Sequence, residues 1–142
     1  MELSSDIKRR FVGAWRLVSF EEVTPEGEVN FPYGPDALGL LIYSSSGYMS
    51  VHIMRRDRLR ANLTSLSLEE IKSAIEEFTG FYGSYEIDET NQVVIHRVEG
   101  HVRPESIGKV LRREFSFEGD RLILKPAPNR RLTWESLATN EP

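Results

Sequence analysis

The chain has 142 residues, of which 39% are hydrophobic and 28% charged, with no cysteine and a formal net charge of −4. This length suits one domain, and we expect residues 1–142 to form it. The lack of cysteine excludes disulfides and thiolate metal sites, and the mixed charge does not fit the basic surface of a nucleic-acid-binding protein. Without an apolar signal core or a run of ~20 apolar residues, we expect a cytoplasmic protein with no membrane partner.

The first half of the chain predicts a helical turn and three strands. The turn covers residues 7–11, and the first strand follows at 13–23. After a loop rich in proline and glycine, strands at 39–43 and 48–54 form a hairpin across the turn "SSSG".

One helix is predicted in the middle of the chain. Ser67 and Glu70 form the pattern of a capping box, and apolar residues then recur at helical spacing until Gly80. The helix therefore lies between the third and fourth predicted strands.

Five further strands complete the pattern, at residues 81–88, 92–102, 109–117, 121–125 and 131–137. Eight strands with mostly short connections predict an all-β, antiparallel, up-and-down barrel. A sandwich of two sheets is the alternative.

Alternation of side chains predicts which residues face the barrel interior. In the sixth strand Arg113 shares the apolar face with Leu111 and Phe115, and Trp134 continues that face in the last strand. The first strand leaves its inner face open. One face carries Trp15, Leu17, Ser19 and Glu21, and the other carries Arg16, Val18 and Phe20.

The hairpin at 39–54 leaves two interpretations open. A turn at "SSSG" would place Tyr43 opposite Tyr48 and Ile42 opposite Met49, which puts His52 on the face of Tyr43. This polar and aromatic face lies either outside the barrel or along a cavity.

The segment "VVIHRVEG" places an ionisable ring on the apolar side of a strand. His96 shares its face with Val94 and Val98. The ring is either a neutral, hydrogen-bonded core histidine or one of the few polar groups in a ligand cavity. His101 would point to the opposite side in a regular strand, although a bulge near Gly100 could turn it to the side of His96. Because His52 would still have to reach this point from across the barrel, no metal site is expected.

A few polar and aromatic residues are the candidates for function. No nucleophile motif, phosphate loop or dinucleotide fingerprint is present, and no cofactor is expected. If the protein is an enzyme, His96, Tyr85 and Glu21 are the candidates for proton transfer. The predicted ligand-binding residues are His96, Tyr85, Tyr43, Ser19, Trp134 and His52.

Several motifs together resemble the lipocalin-like domain family of the calycin superfamily, in particular its small intracellular bacterial and fungal members. They are "GAWRLVSFE", "YGPDALGLLIYSSSGYMSV", "YGSYEI", "VVIHRVEG", "RREFSFEGDRLIL" and "LTWES". The resemblance implies a barrel closed at one end by Arg113 packed over Trp15. Some members occur in natural-product pathways, but most have no assigned activity.

Two functions from different classes remain open at this point. In the first, the barrel binds a small hydrophobic or amphipathic molecule with one or two polar groups. In the second, the same cavity catalyses cyclisation or isomerisation of a natural-product-like substrate by positioning and desolvation. A barrel filled with side chains would exclude both, and pairing of exposed strand edges would give a homodimer.

Overall fold

The computed structural model describes residues 3–58 and 60–138. Two α-helices and nine strands make up most of this part, with short 3₁₀ turns at Leu63–Ser65 and Pro104–Ser106. The elements are α1 (Leu3–Phe11), β1 (Gly13–Val23), β2 (Val29–Asn30), β3 (Leu38–Tyr43), β4 (Tyr48–Met54), α2 (Leu68–Glu76), β5 (Phe78–Asp88), β6 (Val93–His101), β7 (Val110–Glu118), β8 (Arg121–Ala127) and β9 (Arg130–Ser136).

The sheet closes on itself. Strands β3 to β9 pair antiparallel in chain order, β3 also pairs with β1, and β1 pairs with β9. This confirms the predicted eight-stranded up-and-down barrel and excludes the two-sheet sandwich. The two-residue strand β2, which was not predicted, pairs with the last residues of β1.

Helix α2 lies between β4 and β5, not between the third and fourth strands, because the prediction did not include β2. The predicted capping box is present: Ser67 Oγ accepts from the Glu70 N–H, and the Glu70 carboxylate accepts from the Ser67 N–H. The helix ends at Glu76 instead of Gly80, since Phe78 already pairs with Met54 in the sheet.

The two ends of the barrel are built differently. At the closed end the strands are joined by short turns at residues 44–47, 89–92 and 119–120, and α1 leads into β1 there. At the open end three connections are longer and span residues 24–37, 55–77 and 102–109, whereas the β8–β9 turn at residues 128–129 is short. Short connections leave a barrel end to be filled by side chains, whereas long ones can surround an opening.

The β3–β4 hairpin differs in register from the prediction. Tyr43 pairs with Met49 rather than with Tyr48, because Ser44 lies opposite Tyr48 and closes a loop over residues 45–47, in which Gly47 adopts a positive φ of 95°. Tyr43 therefore faces inward, and Ile42 and His52 face outward. Side chains alternate along each strand, and directly paired residues point to the same side of the sheet. A shift of one residue in the pairing therefore moves each predicted pair of partners to opposite sides.

Bulges in β1 and β6 change which side chains of these two strands face the barrel interior. The register of β1 against β9 changes between Leu17 and Ser19, so that Phe20 and not Ser19 returns to the interior. In β6 an extra residue, Glu99, lies between the partners of Gly83 and Tyr82. A side chain at Gly83 would collide with the backbone of Arg97, which explains the glycine there.

Candidate functional site

A cavity of about 420 Å³ lies in the half of the barrel nearer the open end. Its wall is mostly apolar and includes Leu41, Val51, Ile53, Phe81, Leu111, Leu124, Leu132 and Trp134. The polar side chains of the wall are His96, His101, Arg113, Lys109, Arg130, Glu76, Thr79 and Ser106. The interior is therefore not filled with side chains at this level.

His96 lies on the cavity wall and is only 3% exposed. Its Nε2 is 2.7 Å from the Tyr43 hydroxyl, and its Nδ1 has no hydrogen-bond partner within the described part of the chain. Burial, together with the nearby Arg113 charge, lowers the pKa of His96 to about 3. The ring is consequently neutral at physiological pH.

Two tyrosines support His96 from the closed end. The ring of Tyr43 meets that of Tyr85 edge to face, at a centroid distance of 4.7 Å. Burial raises the pKa of both hydroxyls, and the Tyr85 group raises that of Tyr43 further. The Tyr85 hydroxyl donates to the carbonyl of Ser44 at 2.8 Å, which directs it into the turn and away from the cavity.

Arg113 also lies on the cavity wall. It pairs with Val94 near the middle of β7, and no described carboxylate forms a salt bridge or hydrogen bond with it. Burial lowers the pKa of Arg113, and the charge of Arg130 lowers it further. Arg130 itself is paired with Glu22, at 2.8 Å between Nε and Oε2.

Trp134 is 1% exposed and lines the same cavity. Its indole Nε1–H has no acceptor among residues 3–58 and 60–138. Buried polar groups in proteins are usually hydrogen-bonded, so this donor, like His96 Nδ1, needs an explanation.

The bulge in β6 turns His101 to the cavity side, contrary to the prediction for a regular strand. Its ring stacks on Phe81 at 5.3 Å between centroids, and its Nδ1 accepts from the Arg103 N–H at 2.9 Å. Burial and the Arg103 charge lower the pKa of His101. In the described ranges no three histidine, aspartate or glutamate residues are grouped so as to hold a metal ion.

Five residues predicted for the site are not part of the cavity wall. Tyr43 and Tyr85 lie toward the closed end of the barrel. Ser19 and Glu21 lie on the outer side of the sheet because of the bulge in β1, so the face predicted for them was wrong. His52 also lies on the outer face, which is one of the two alternatives that the sequence left open.

The predicted packing of Arg113 over Trp15 is also not observed. Trp15 lies at the closed end, where its Nε1–H donates to the carbonyl of Phe11 at 2.9 Å, whereas Arg113 lies further along the barrel on the cavity wall. Two other cations lie over aromatic rings at the closed end: the Arg10 guanidinium is 4.0 Å from the ring centroid of Phe117, and Lys8 Nζ is 5.9 Å from that of Tyr85.

The sequence prediction also missed two members of the cavity wall. His101 could have been found only by locating the bulge, for which Gly83 and Gly100 are the available signal. Lys109 lies at the start of the predicted sixth strand and reaches the cavity from the open end.

Comparison with known proteins agrees with the closed barrel. A family model described as a lipocalin-like domain matches residues 12–139. No curated protein sequence matches the chain. None of the helices in the described residues is long and apolar enough to cross a membrane. The match spans most of the chain, and the chain therefore belongs to the lipocalin-like domain family.

Proposed function

We propose that the protein binds one small, mostly apolar molecule with one or two polar groups in the cavity at the open end. A lipocalin-like barrel suggests small-molecule binding in general, and the cavity in this barrel supports the proposal. The observation that carries the proposal is the volume of about 420 Å³ behind a mostly apolar wall. Ligand sites in proteins usually have between ~300 and ~1,000 Å³.

The wall determines what kind of molecule would bind. Apolar side chains such as Leu111, Leu132 and Val51 stabilise a bound apolar body by about 25 cal/mol for each Å² removed from water. The few polar groups on the same wall would orient the guest without making the site attractive to a fully polar solute.

Binding is favoured over catalysis by the positions of the three predicted proton-transfer groups. Only His96 faces the cavity, since the Tyr85 hydroxyl is bound to the Ser44 carbonyl and Glu21 lies on the outer side. The low pKa of His96, about 3, also makes it a poor general base near neutral pH.

A fluorescent apolar probe tests the proposal. N-phenyl-1-naphthylamine is neutral and brightens when it leaves water, and we expect saturable binding of one probe per chain. Val51→Trp, which fills part of the cavity, should weaken binding by at least about tenfold, since the probe and the new ring compete for one volume.

The matched control is Ser50→Trp, one residue along the same strand and on its outer face. It should bind the probe like the parent protein, and circular dichroism melts would show that both variants are folded. Absence of saturable binding, or equal binding by Val51→Trp and the parent protein, would contradict the proposed function.

A further inference from the structure

A positive charge lies inside the barrel without an acidic neighbour. Arg113 is partly buried on the cavity wall, and the charge that acts on it there is that of Arg130 rather than that of a carboxylate. Taking an unpaired guanidinium out of water is costly, and proteins normally place an anion beside it. No described residue supplies that anion.

Two further residues of the same wall carry buried hydrogen-bond donors that have no partner in the described chain. The Trp134 indole N–H can only donate, and it has no acceptor in the described chain. The buried Tyr43 hydroxyl has no hydrogen-bond partner other than His96 Nε2 in the described chain, so we assign the tautomer in which the hydroxyl donates to Nε2 and the neutral imidazole carries its hydrogen on Nδ1. The Nδ1–H is therefore a second donor without a partner in the part of the chain that the structure describes.

The cavity wall carries other charged side chains besides Arg113. Lys109 and Arg130 line it toward the open end, and Arg130 is paired with Glu22. Glu76 is the one acidic residue of the cavity wall in the described ranges. With Arg113 included, three cationic side chains line the cavity against one carboxylate, and the balance stays positive when Glu22 is also counted.

We propose that the cavity takes an anionic amphiphile, a small molecule whose carboxylate or sulfonate is bound by Arg113, His96 and Trp134 while its apolar body lies against the aliphatic wall. This inference rests on the proposed function and specifies the chemical class of the ligand. A guanidinium and two neutral N–H groups provide charge-assisted hydrogen bonds, which are the stronger kind.

The effect of removing Arg113 on stability distinguishes a structural role from a binding role. If the guanidinium held the barrel together, its removal would destabilise the fold. If it is a binding group, Arg113→Met removes an unpaired buried charge, and the melting temperature should stay the same or rise.

Two probes with the same ring system distinguish the contribution of an anionic group to binding from the contribution of the apolar rings. N-phenyl-1-naphthylamine is neutral, and 8-anilinonaphthalene-1-sulfonate has the same rings with a sulfonate added. We expect the parent protein to bind the anionic probe at least about tenfold more tightly than the neutral one. Arg113→Met should lose most of this preference while binding the neutral probe within about twofold of the parent protein.

Arg112→Met is the matched control, because Arg112 lies on the outer face of the same strand next to Arg113. It should keep the preference for the anionic probe, and Arg113→Lys should keep part of it. If the neutral probe binds but Arg113→Met retains the full preference, the anion site is wrong and the proposed function stands. If neither probe binds, both proposals fail.

Discussion

The side chains inside the barrel are tightly packed in the half at the closed end, whereas those in the other half surround an unfilled space. At the closed end Phe11 is completely buried and makes edge-to-face contacts with Tyr43, Phe115 and Phe117, at centroid distances of 4.8–5.2 Å. Toward the open end the wall surrounds about 420 Å³ instead. The interior of one small barrel is thus divided between packing that stabilises the fold and a space that can bind.

The two tryptophans show the same contrast in their hydrogen bonds. The Trp15 N–H at the closed end is bound to the Phe11 carbonyl, whereas the Trp134 N–H on the cavity wall has no acceptor in the described structure. His96 lies between the two halves, with Nε2 bound to Tyr43 and a buried Nδ1 that has no partner in the same ranges. The indole N–H is hydrogen-bonded where the barrel is packed, whereas the residues beside the cavity retain polar atoms without a partner.

The largest effect is expected from removing the aromatic ring that fills the closed end. Phe11→Ala should lower the free energy of unfolding by about 3–5 kcal/mol, because the rings around Phe11 are held by the sheet and cannot fill the gap. Urea denaturation followed by circular dichroism measures the loss. A loss below ~1 kcal/mol would show that α1 does not seal the barrel.

A pair of leucines compares the two halves with the same chemical change. Leu122 is fully buried, and Leu122→Ala should cost about 3 kcal/mol. Leu111 is half-buried on the cavity wall, and Leu111→Ala should cost roughly 1 kcal/mol, since it only enlarges an existing space. Equal losses in the same urea experiment would mean that the open half is packed like the closed half.

The pKa of His96 predicts a dependence of stability on pH. The unfolded chain takes up a proton on this ring near pH 6.5 and the folded chain only near pH 3, so the stabilisation is complete above about pH 6.5 and is lost as the pH falls. The stability advantage of the parent protein over His96→Gln should therefore shrink by about 1.4 kcal/mol per pH unit between pH 6 and pH 4.

Denaturation of both proteins at several pH values measures this slope. His52→Gln, on the outer face, is the control and should follow the parent protein at each pH. A constant difference between the parent protein and His96→Gln would show that the imidazole is not buried in its neutral form.

The smallest effect is expected at the surface of the closed end. Arg10→Met removes the guanidinium over Phe117 and should cost about 0.5–1 kcal/mol in a thermal melt. Arg9→Met, which removes an exposed ion pair with Asp6, should cost less. A larger loss for Arg9→Met would contradict the contribution assigned to the contact with Phe117.

The sequence predicted the barrel and part of its cavity wall, because alternation is reliable within one unbroken strand. Arg113, Trp134 and His96 lie on the inward faces that alternation predicts. Ser19 was placed wrongly and the face of His52 stayed open, since a bulge or a shifted turn reverses every later side chain without changing the hydrophobic pattern.

Whether the barrel is hollow could not be predicted from the sequence. Cavity volume depends on how side chains from many strands fill one space, and Phe11 enters that space from a helix rather than from a strand. The role of Arg113 was misassigned for a related reason. Its inward direction follows from one strand, but its distance from Trp15 depends on where two distant strands lie along the barrel.

The most direct test of the cavity uses the chain's two tryptophan side chains, one in each half. With ¹⁵N-labelled protein, an NMR titration with 8-anilinonaphthalene-1-sulfonate follows both indole N–H signals, assigned with the variant Trp15→Phe. We predict a saturable shift of the Trp134 signal and an unchanged Trp15 signal, because only Trp134 lines the cavity. A probe that binds without moving the Trp134 signal, or that moves only the Trp15 signal, would contradict the account.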